Sequence, residues 1–260
     1  MIISNLITSF LQLIFKPKVW IPLLAMLLIS LAVTQAMSII LEAPMMDIIL
    51  YPNTFPIENI ASVFLTQYPI EILSSIVIAF LMTTLGIVAF NSTSRIAQGT
   101  KLIPAINESM KEIRKAIGMA IILWSAFLFA LFVLTIITVI MGINELIGLI
   151  LLLFFIIIIL VVIIKTVFAL PALNENEVKE AFSKSWKFTQ KRFWKATLYL
   201  ILTALIIIIV GSLIDYVVSL LTGNILELVI IAIGEIFTSL YFVVAITNYF
   251  YSKKWIRWLG

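Results

Sequence analysis

LIGLILLLFFIIIILVVIIKTVFAL, Leu146 to Leu170, runs directly into PALNENEVKEAFSKSWKFTQKRFWK, Pro171 to Lys195, and a second apolar stretch follows. The first piece is long enough to cross about 30 Å of hydrocarbon as a helix rising about 1.5 Å per residue. The second carries Lys179, Lys184, Lys187, Lys191, Arg192 and Lys195 and cannot. A polar segment between two such runs reads as a loop on one side of a bilayer joining two spans. A spanning chain must satisfy its backbone internally, and runs of this length do so as helices.

Working outward, the same alternation repeats. Spans are expected over 19–42, 70–93, 117–141, 146–170, 195–219 and 225–250, which makes the chain an all-α, polytopic transmembrane helix bundle of six crossings. Composition agrees: 63% of the 260 residues are hydrophobic and 12% charged, against about 25% charged in an ordinary soluble domain. Mean hydropathy is +1.22. Residues 1–260 read as a single integral membrane domain. The first segment, up to Pro17, is too short to cross. Ile3, Leu6, Ile7, Phe10 and Ile14 share a helical face, so an interfacial helix is expected there.

Apart from Lys165, which lies within snorkelling reach of the same surface, every one of the 17 Lys and Arg falls in the segments before the first span, between the second and third, between the fourth and fifth, or after the sixth. Glu42, Asp47, Glu58, Glu71, Glu145, Asp215 and Glu227 occupy the other side. The positive-inside rule then places both termini in the cytoplasm of a cell membrane protein. Trp20, Trp194, Trp255 and Trp258 fall at inner ends, and Tyr51, Tyr68 and Tyr216 near outer ones, as interfacial anchors. The outer loop 43–69 contains Ile57, Ile60, Ala61, Phe64 and Leu65 at the spacing of a short surface helix. The sequons at Asn91 and Asn107 fall on the inner side and are coincidental.

Two inner loops read as amphipathic helices. In the later one, Asn174 and Glu177 have capping-box spacing, with Val178, Ala181, Phe182, Ser185 and Trp186 on one face and Lys179, Glu180, Lys184 and Lys187 on the other. In the earlier one, Ile106, Met110, Ile113 and Ile117 oppose Glu108, Lys111, Glu112 and Lys115. Such helices either lie along an anionic leaflet or cap the bundle with a solvated face. Both open on an echo: PAINE at Pro104–Glu108 and PALNE at Pro171–Glu175. The echo suggests repeat units over 1–92, 93–170 and 171–260.

The later loop resembles the signature of the glycerophosphoryl-diester-phosphodiesterase membrane domain and related uncharacterised six-helix membrane protein families. The matching residues are Pro171, Glu175, Ala181, Phe182, Ser185, Trp186, Thr189, Phe193 and Trp194. The resemblance implies a six-helix membrane fold and brings no catalytic residues. It makes Pro171, Glu175, Ser185, Trp186 and Trp194 a candidate inner-surface motif.

Within the spans, Glu235 is the anomaly, since a charge at mid-helix costs about 2.5–3.5 kcal/mol on insertion scales. With Thr238 and Ser239 it is a candidate intramembrane polar site. It reads either as an ion- or proton-binding carboxylate facing the bundle interior or as a lone protonated group at a neighbouring helix or lipid crevice. Thr34, Gln35, Ser38, Thr83 and Thr84 would line a path or glue helices together.

With no Cys and no His, thiolate, imidazole and His-based metal chemistry are excluded, and no cofactor or metal is expected. The net charge of +4 is explained by the membrane, so nucleic acid is not a partner. The expected function is a non-enzymatic module that binds membrane lipids, or a protein partner at its cytoplasmic amphipathic helices. The alternative is the permease subunit of an ABC-type exporter. Such permeases are similar in length and crossing number and carry a coupling helix where residues 104–116 stand. Their last outer loop usually forms a re-entrant hairpin, for which 220–224 leaves no room.

Overall fold

The structure, a computed structural model, describes residues 2–50, 68–219 and 225–255. Tyr51, Glu58, the surface helix expected around Ile57–Leu65, the loop 220–224, Arg257 and Trp258 lie outside the described residues, as do the side chains of Glu42, Asp47, Glu227, Lys253, Lys254 and Trp255. The described chain is an all-α bundle. Its helices are α1 (Ile2–Phe15), α2 (Trp20–Leu50), α3 (Pro69–Ala97), α4 (Leu102–Lys111), α5 (Ile113–Ile143), α6 (Glu145–Thr166), α7 (Val178–Gln190), α8 (Phe193–Ser219) and α9 (Ile225–Trp255). A single 3-10 turn, Pro17–Val19, links α1 to α2, and one helical turn, Ala169–Ala172, follows α6.

Six of these helices are long and apolar enough to cross a membrane, and the chain is a multi-pass membrane protein. Each expected span lies inside one of them or within a few residues of its bounds. The largest difference is α2, which continues as helix through Pro44 to Leu50 where a loop was expected from residue 43.

The boundaries have local causes. Pro17 follows α1 because it brings no N–H and disfavours helix in the residue before it. Trp20 then donates Nε1–H to the carbonyl of Leu13 at 2.9 Å, satisfying an orphan acceptor of the helix end. Past the end of α3, Gly99 adopts φ 101°, a left-handed conformation that glycine takes without a Cβ penalty. Only Asn144 separates α5 from α6, and its side chain caps α6 by accepting from the Ile147 N–H at 3.1 Å. Gly148 permits this tight hairpin: a Cβ there would meet the Cα of Met141 at 2.5 Å.

Sequence neighbours are spatial neighbours. The spans pack in the order α2, α3, α5, α6, α8 and α9, and α9 closes on α2 while also packing against α3. The two extremes of hydropathy differ sharply in burial. The window of α9 has the lowest mean hydropathy of the six, 1.3, and is 61% buried, whereas that of α6 reaches 3.8 and is 6% buried. Lipid solvates apolar side chains as well as protein does, so the most apolar helices can face it and the more polar one takes the centre. Close approach comes from small residues: Ala105, Ala116, Ala120, Ala169, Ala172, Ala181, Ala196 and Ala245 are all buried.

The ends of α3, α6 and α9 and the start of α8 converge at one end of the bundle, with α1, α4 and α7 packed around it. The Lys and Arg of the described loops gather there, and it is called the basic end below. Trp194 and Tyr216, 80% and 65% exposed, stand near opposite ends of α8. They are about 33 Å apart at about 1.5 Å per residue, the separation interfacial anchors require.

Several expected faces are corrected. In α1, Leu6, Ser9, Gln12 and Leu13 turn inward to α9, while Ile3, Ile7, Phe10 and Ile14 are exposed. In α4, Ala105 and Ser109 are buried and Met110 is exposed. In α7, the inward stripe is Ala181, Ser185 and Thr189, and Trp186 is exposed. Asn174 does not cap α7. Helix starts at Val178, its N-cap is Glu177, and no side chain caps it.

Candidate functional site

The densest polar constellation lies at the basic end and is organised by the last turns of α9. Its residues 245–251 bond to four other elements. Tyr199 of α8 donates to the carbonyl of Ala245 at 2.8 Å. Thr247 donates to Ser94 Oγ of α3 at 3.1 Å. Asn248 Nδ2 reaches Ser9 Oγ at 2.9 Å and Gln12 Oε1 at 3.1 Å, both in α1. Tyr251 donates to the carbonyl of Pro171 at 2.9 Å. All four α9 residues are buried. Buried polar side chains between membrane helices act as interhelical joints, each typically worth about 0.6 kcal/mol and up to about 1.7.

Ser94 is the second node. It receives Thr247 and also Asn174 Nδ2 at 2.8 Å, so α3, α9 and the segment after α6 meet on one hydroxyl. Around it, Asn91 Oδ1, Thr93 Oγ1 and Asn174 Oδ1 are buried without a hydrogen-bond partner.

Beside this junction lies a charge relay. Arg95 of α3 is 13% exposed and bonds to Glu108, to Glu112 at 2.6 Å and to the carbonyl of Asn174 at 3.0 Å. Glu112 also takes Lys115 at 3.1 Å, and Lys115 stands 3.9 Å from Glu177. The fork of a guanidinium suits several acceptors converging from different directions. The two echo pentapeptides thus end on one side chain: Glu108 of the first and Asn174 of the second both bind Arg95. Their settings differ, since Pro171, Ala172 and Asn174 are buried, whereas of their counterparts only Ala105 is.

The inner-surface motif divides. Pro171 is buried with its carbonyl bonded to Tyr251. Ser185, fully buried, donates to the carbonyl of Lys165 at 2.6 Å, satisfying an acceptor freed where α6 ends. Glu175 is exposed. Trp186 is exposed with Lys165 Nζ 3.9 Å over its ring, a cation–π contact, and Trp194 is almost wholly exposed. Pro171 and Ser185 are therefore joints, and the two Trp are surface groups.

The intramembrane trio does not form an interior site. Glu235 and Ser239 are exposed, turned away from the buried Ile236, Leu240 and Val244. Thr238 bonds back to the carbonyls of Gly234 and Glu235 at 3.0 Å. The reading of Glu235 as a carboxylate facing the bundle interior is corrected accordingly. Thr34, Gln35 and Ser38 are likewise exposed, while Thr83 accepts from Trp124 Nε1 at 3.1 Å and glues α3 to α5.

Sequence reasoning missed Thr247, Asn248, Tyr249 and Tyr251. The signal was available as a polar and aromatic run in the last span, the one of lowest hydropathy. From the sequence, Arg95 counts only among the cations of the inner side, and nothing singles out Ser94.

Chemically, the hydroxyls of the junction donate to carbonyls or to another hydroxyl and accept from the amides of Asn174 and Asn248. Among the described residues no three carboxylates gather in a metal-holding group. On α7 the pattern changes: Lys179, Lys184, Lys187 and Lys191 are exposed and form no ion pair among the described residues. Arg95 and Lys115 take the carboxylates of Glu108 and Glu112, with Glu177 nearby, and the one carboxylate among the lysines of α7, Glu180, forms no ion pair with them among the described residues. No protein family, curated protein or solved structure matches this chain.

Proposed function

We propose that this protein is a non-catalytic multi-pass module of the cell membrane that binds anionic lipid at its basic end, with that end and both termini in the cytoplasm. The observation that carries this reading is the division among the cations. Arg95 and Lys115 are consumed in holding the bundle together. The lysines of α7 and Lys191 just past its end are exposed and unpaired among the described residues, and Lys191 precedes the exposed Trp194 by three residues. Near an anionic leaflet each such lysine contributes about 1 kcal/mol of attraction. The sidedness of Lys and Arg supports the orientation. The exposed apolar face of α1, with Ile3, Ile7, Phe10 and Ile14, suits contact with hydrocarbon rather than water. A fold shared with the glycerophosphoryl-diester-phosphodiesterase membrane domain would accord with this reading, and the resembling residues serve it as joints and surface groups. The absence of Cys and His from the sequence supports a non-catalytic role.

The test is purification of the full chain from its native membrane, with identification of retained lipids and proteins by native mass spectrometry. Enrichment of anionic over zwitterionic phospholipid relative to the bulk membrane is the expected result. Recovery of a stoichiometric ATP-hydrolysing subunit, with no lipid enrichment, would overturn it in favour of a permease.

A further inference from the structure

Between the end of α7 and the end of α9 lies a cavity of about 440 Å³, lined by Lys184, Lys187, Phe188, Gln190, Lys191 and Phe250. Its size falls within the range of small-molecule sites, roughly 300–1,000 Å³. Its lining is divided by chemistry. Lys184, Lys187 and Lys191, the last being the C-cap residue just past α7, recur at intervals of three and four and so follow one face of the helix. Phe188 stands on that same face and forms the apolar floor with Phe250, their ring centres 5.1 Å apart.

The floor is rigid. Phe168 packs against both rings, at 5.2 and 6.4 Å. Tyr249 packs on Phe188 at 5.7 Å and stacks on Tyr199 at 4.2 Å. The rim is unneutralised: none of the three lysines has an ion pair among the described residues. Like charges three and four residues apart on a helix repel. The last turn of a helix favours cations, which accounts for Lys187 and Lys191 being tolerated but not for an apolar hollow opening beneath them. An anion seated among the three would turn the repulsion into attraction.

Depth identifies the anion's class. Lys191 precedes Trp194 by less than one turn, and Trp194 is the anchor that sets the headgroup level at this end of α8. At that level the abundant anion is the phosphate of a phospholipid, whose chains can leave the site along exposed Leu198 and Ile201 of α8. We infer that the cavity bounded by Lys184, Lys187, Lys191, Phe188 and Phe250 is a discrete phosphate site that holds the headgroup of one anionic glycerophospholipid. This deepens the function proposed above and rests on it, because a bilayer surface must lie at this end.

The full chain in neutral detergent, stripped of lipid, is titrated with phosphatidylglycerol, phosphatidylcholine or inorganic phosphate, and bound lipid is counted by native mass spectrometry. Two variants carry the same charge change: Lys184→Gln with Lys187→Gln and Lys191→Gln, and, as control, Lys18→Gln with Lys101→Gln and Lys111→Gln, all exposed and outside α7. The expected result is one tightly retained phosphatidylglycerol in the native chain and the control, and at least a tenfold weaker affinity in the first variant. Single Lys187→Gln and Lys191→Gln chains, each expected to lose several-fold, keep the test informative if the triple variant unfolds. Equal weakening in both triple variants would overturn the discrete site and leave a diffuse cationic surface. No preference of the native chain for phosphatidylglycerol over phosphatidylcholine would overturn both. Displacement of the lipid by millimolar inorganic phosphate would assign the site to a soluble phosphate instead.

Discussion

Asn174 donates its side-chain amide to Ser94 Oγ at 2.8 Å, joining positions 80 residues apart. Both groups are buried, at 8% and 0% exposure, where water cannot substitute for a lost partner. Removing either partner leaves a desolvated donor or acceptor, a loss of about 1–3 kcal/mol. We expect Asn174→Ala and Ser94→Ala each to destabilise the bundle by an amount in that range. A double-mutant cycle read from unfolding in mixed micelles should give a coupling of about 1 kcal/mol. Strictly additive losses would mean that the bond contributes nothing of its own.

Arg95 is held by two carboxylates and a backbone carbonyl, so its removal leaves Glu112 with Lys115 alone and the carbonyl of Asn174 without its side-chain donor in a partly buried site. Arg95→Ala is expected to cost about 3 kcal/mol, the lower part of the range for breaking a buried pair. Arg95→Lys should recover only part of this, because an ammonium cannot place parallel donors on acceptors in three directions. Between the carboxylates, Glu112→Gln should be costlier than Glu108→Gln, since Glu108 is 51% exposed and Glu112 28%. Thermal unfolding of the four variants in one detergent checks the order. An Arg95→Lys chain as stable as the native one would refute the role of the guanidinium fork.

How much of this was legible beforehand follows from what a membrane demands of a sequence. Hydrocarbon imposes a length and an apolarity on each span, and both are local properties, so Leu146–Leu170 and its five counterparts stand out by themselves. The charge sidedness is likewise a count along the chain. Facing is different. A leucine against lipid and a leucine against protein look alike in sequence, so Ile3 and Ile7 of α1 gave no hint that they point outward while Leu6 and Leu13 point inward. The informative residues inside a span are the small and polar ones, Ala245 and Asn248 rather than Ile and Leu. Asn174 was misread for a physical reason as well. Spacing from Glu177 is a local cue, and it lost to a long-range partner, Ser94, that local spacing cannot see.

The α5–α6 hairpin depends on Gly148. A methyl group at that position would meet the Cα and Cβ of Met141 at 2.5 Å, and a backbone cannot yield as the tip of a long side chain can. Gly148→Ala should therefore splay the hairpin and cost roughly 1–3 kcal/mol, as overpacking does. Gly142, where nothing lies within 4 Å, is the control, and Gly142→Ala should be neutral or slightly stabilising. Thermal unfolding of the two variants in one detergent checks the order: Gly148→Ala should melt below the native chain and Gly142→Ala should not.

Two substitutions on α9 separate its faces. Glu235 is exposed, on the side away from the buried Ile236 and Leu240, whereas Asn248 lies buried with its amide on Ser9 and Gln12. Glu235→Gln removes no bundle contact and should disturb unfolding in detergent less than Asn248→Leu does. Asn248→Leu keeps the branching and the number of side-chain heavy atoms and raises apolarity, so hydropathy alone would predict tighter membrane insertion. It also leaves Ser9 and Gln12 without their donor against α9, so the structure predicts a loss of about 1–2 kcal/mol. Release of α1 should accompany that loss, seen as faster proteolysis between Phe15 and Trp20 in detergent. If Glu235→Gln proves the more damaging of the two, the orientation of α9 in the bundle is wrong, and with it the assignment of its last turns as the hub.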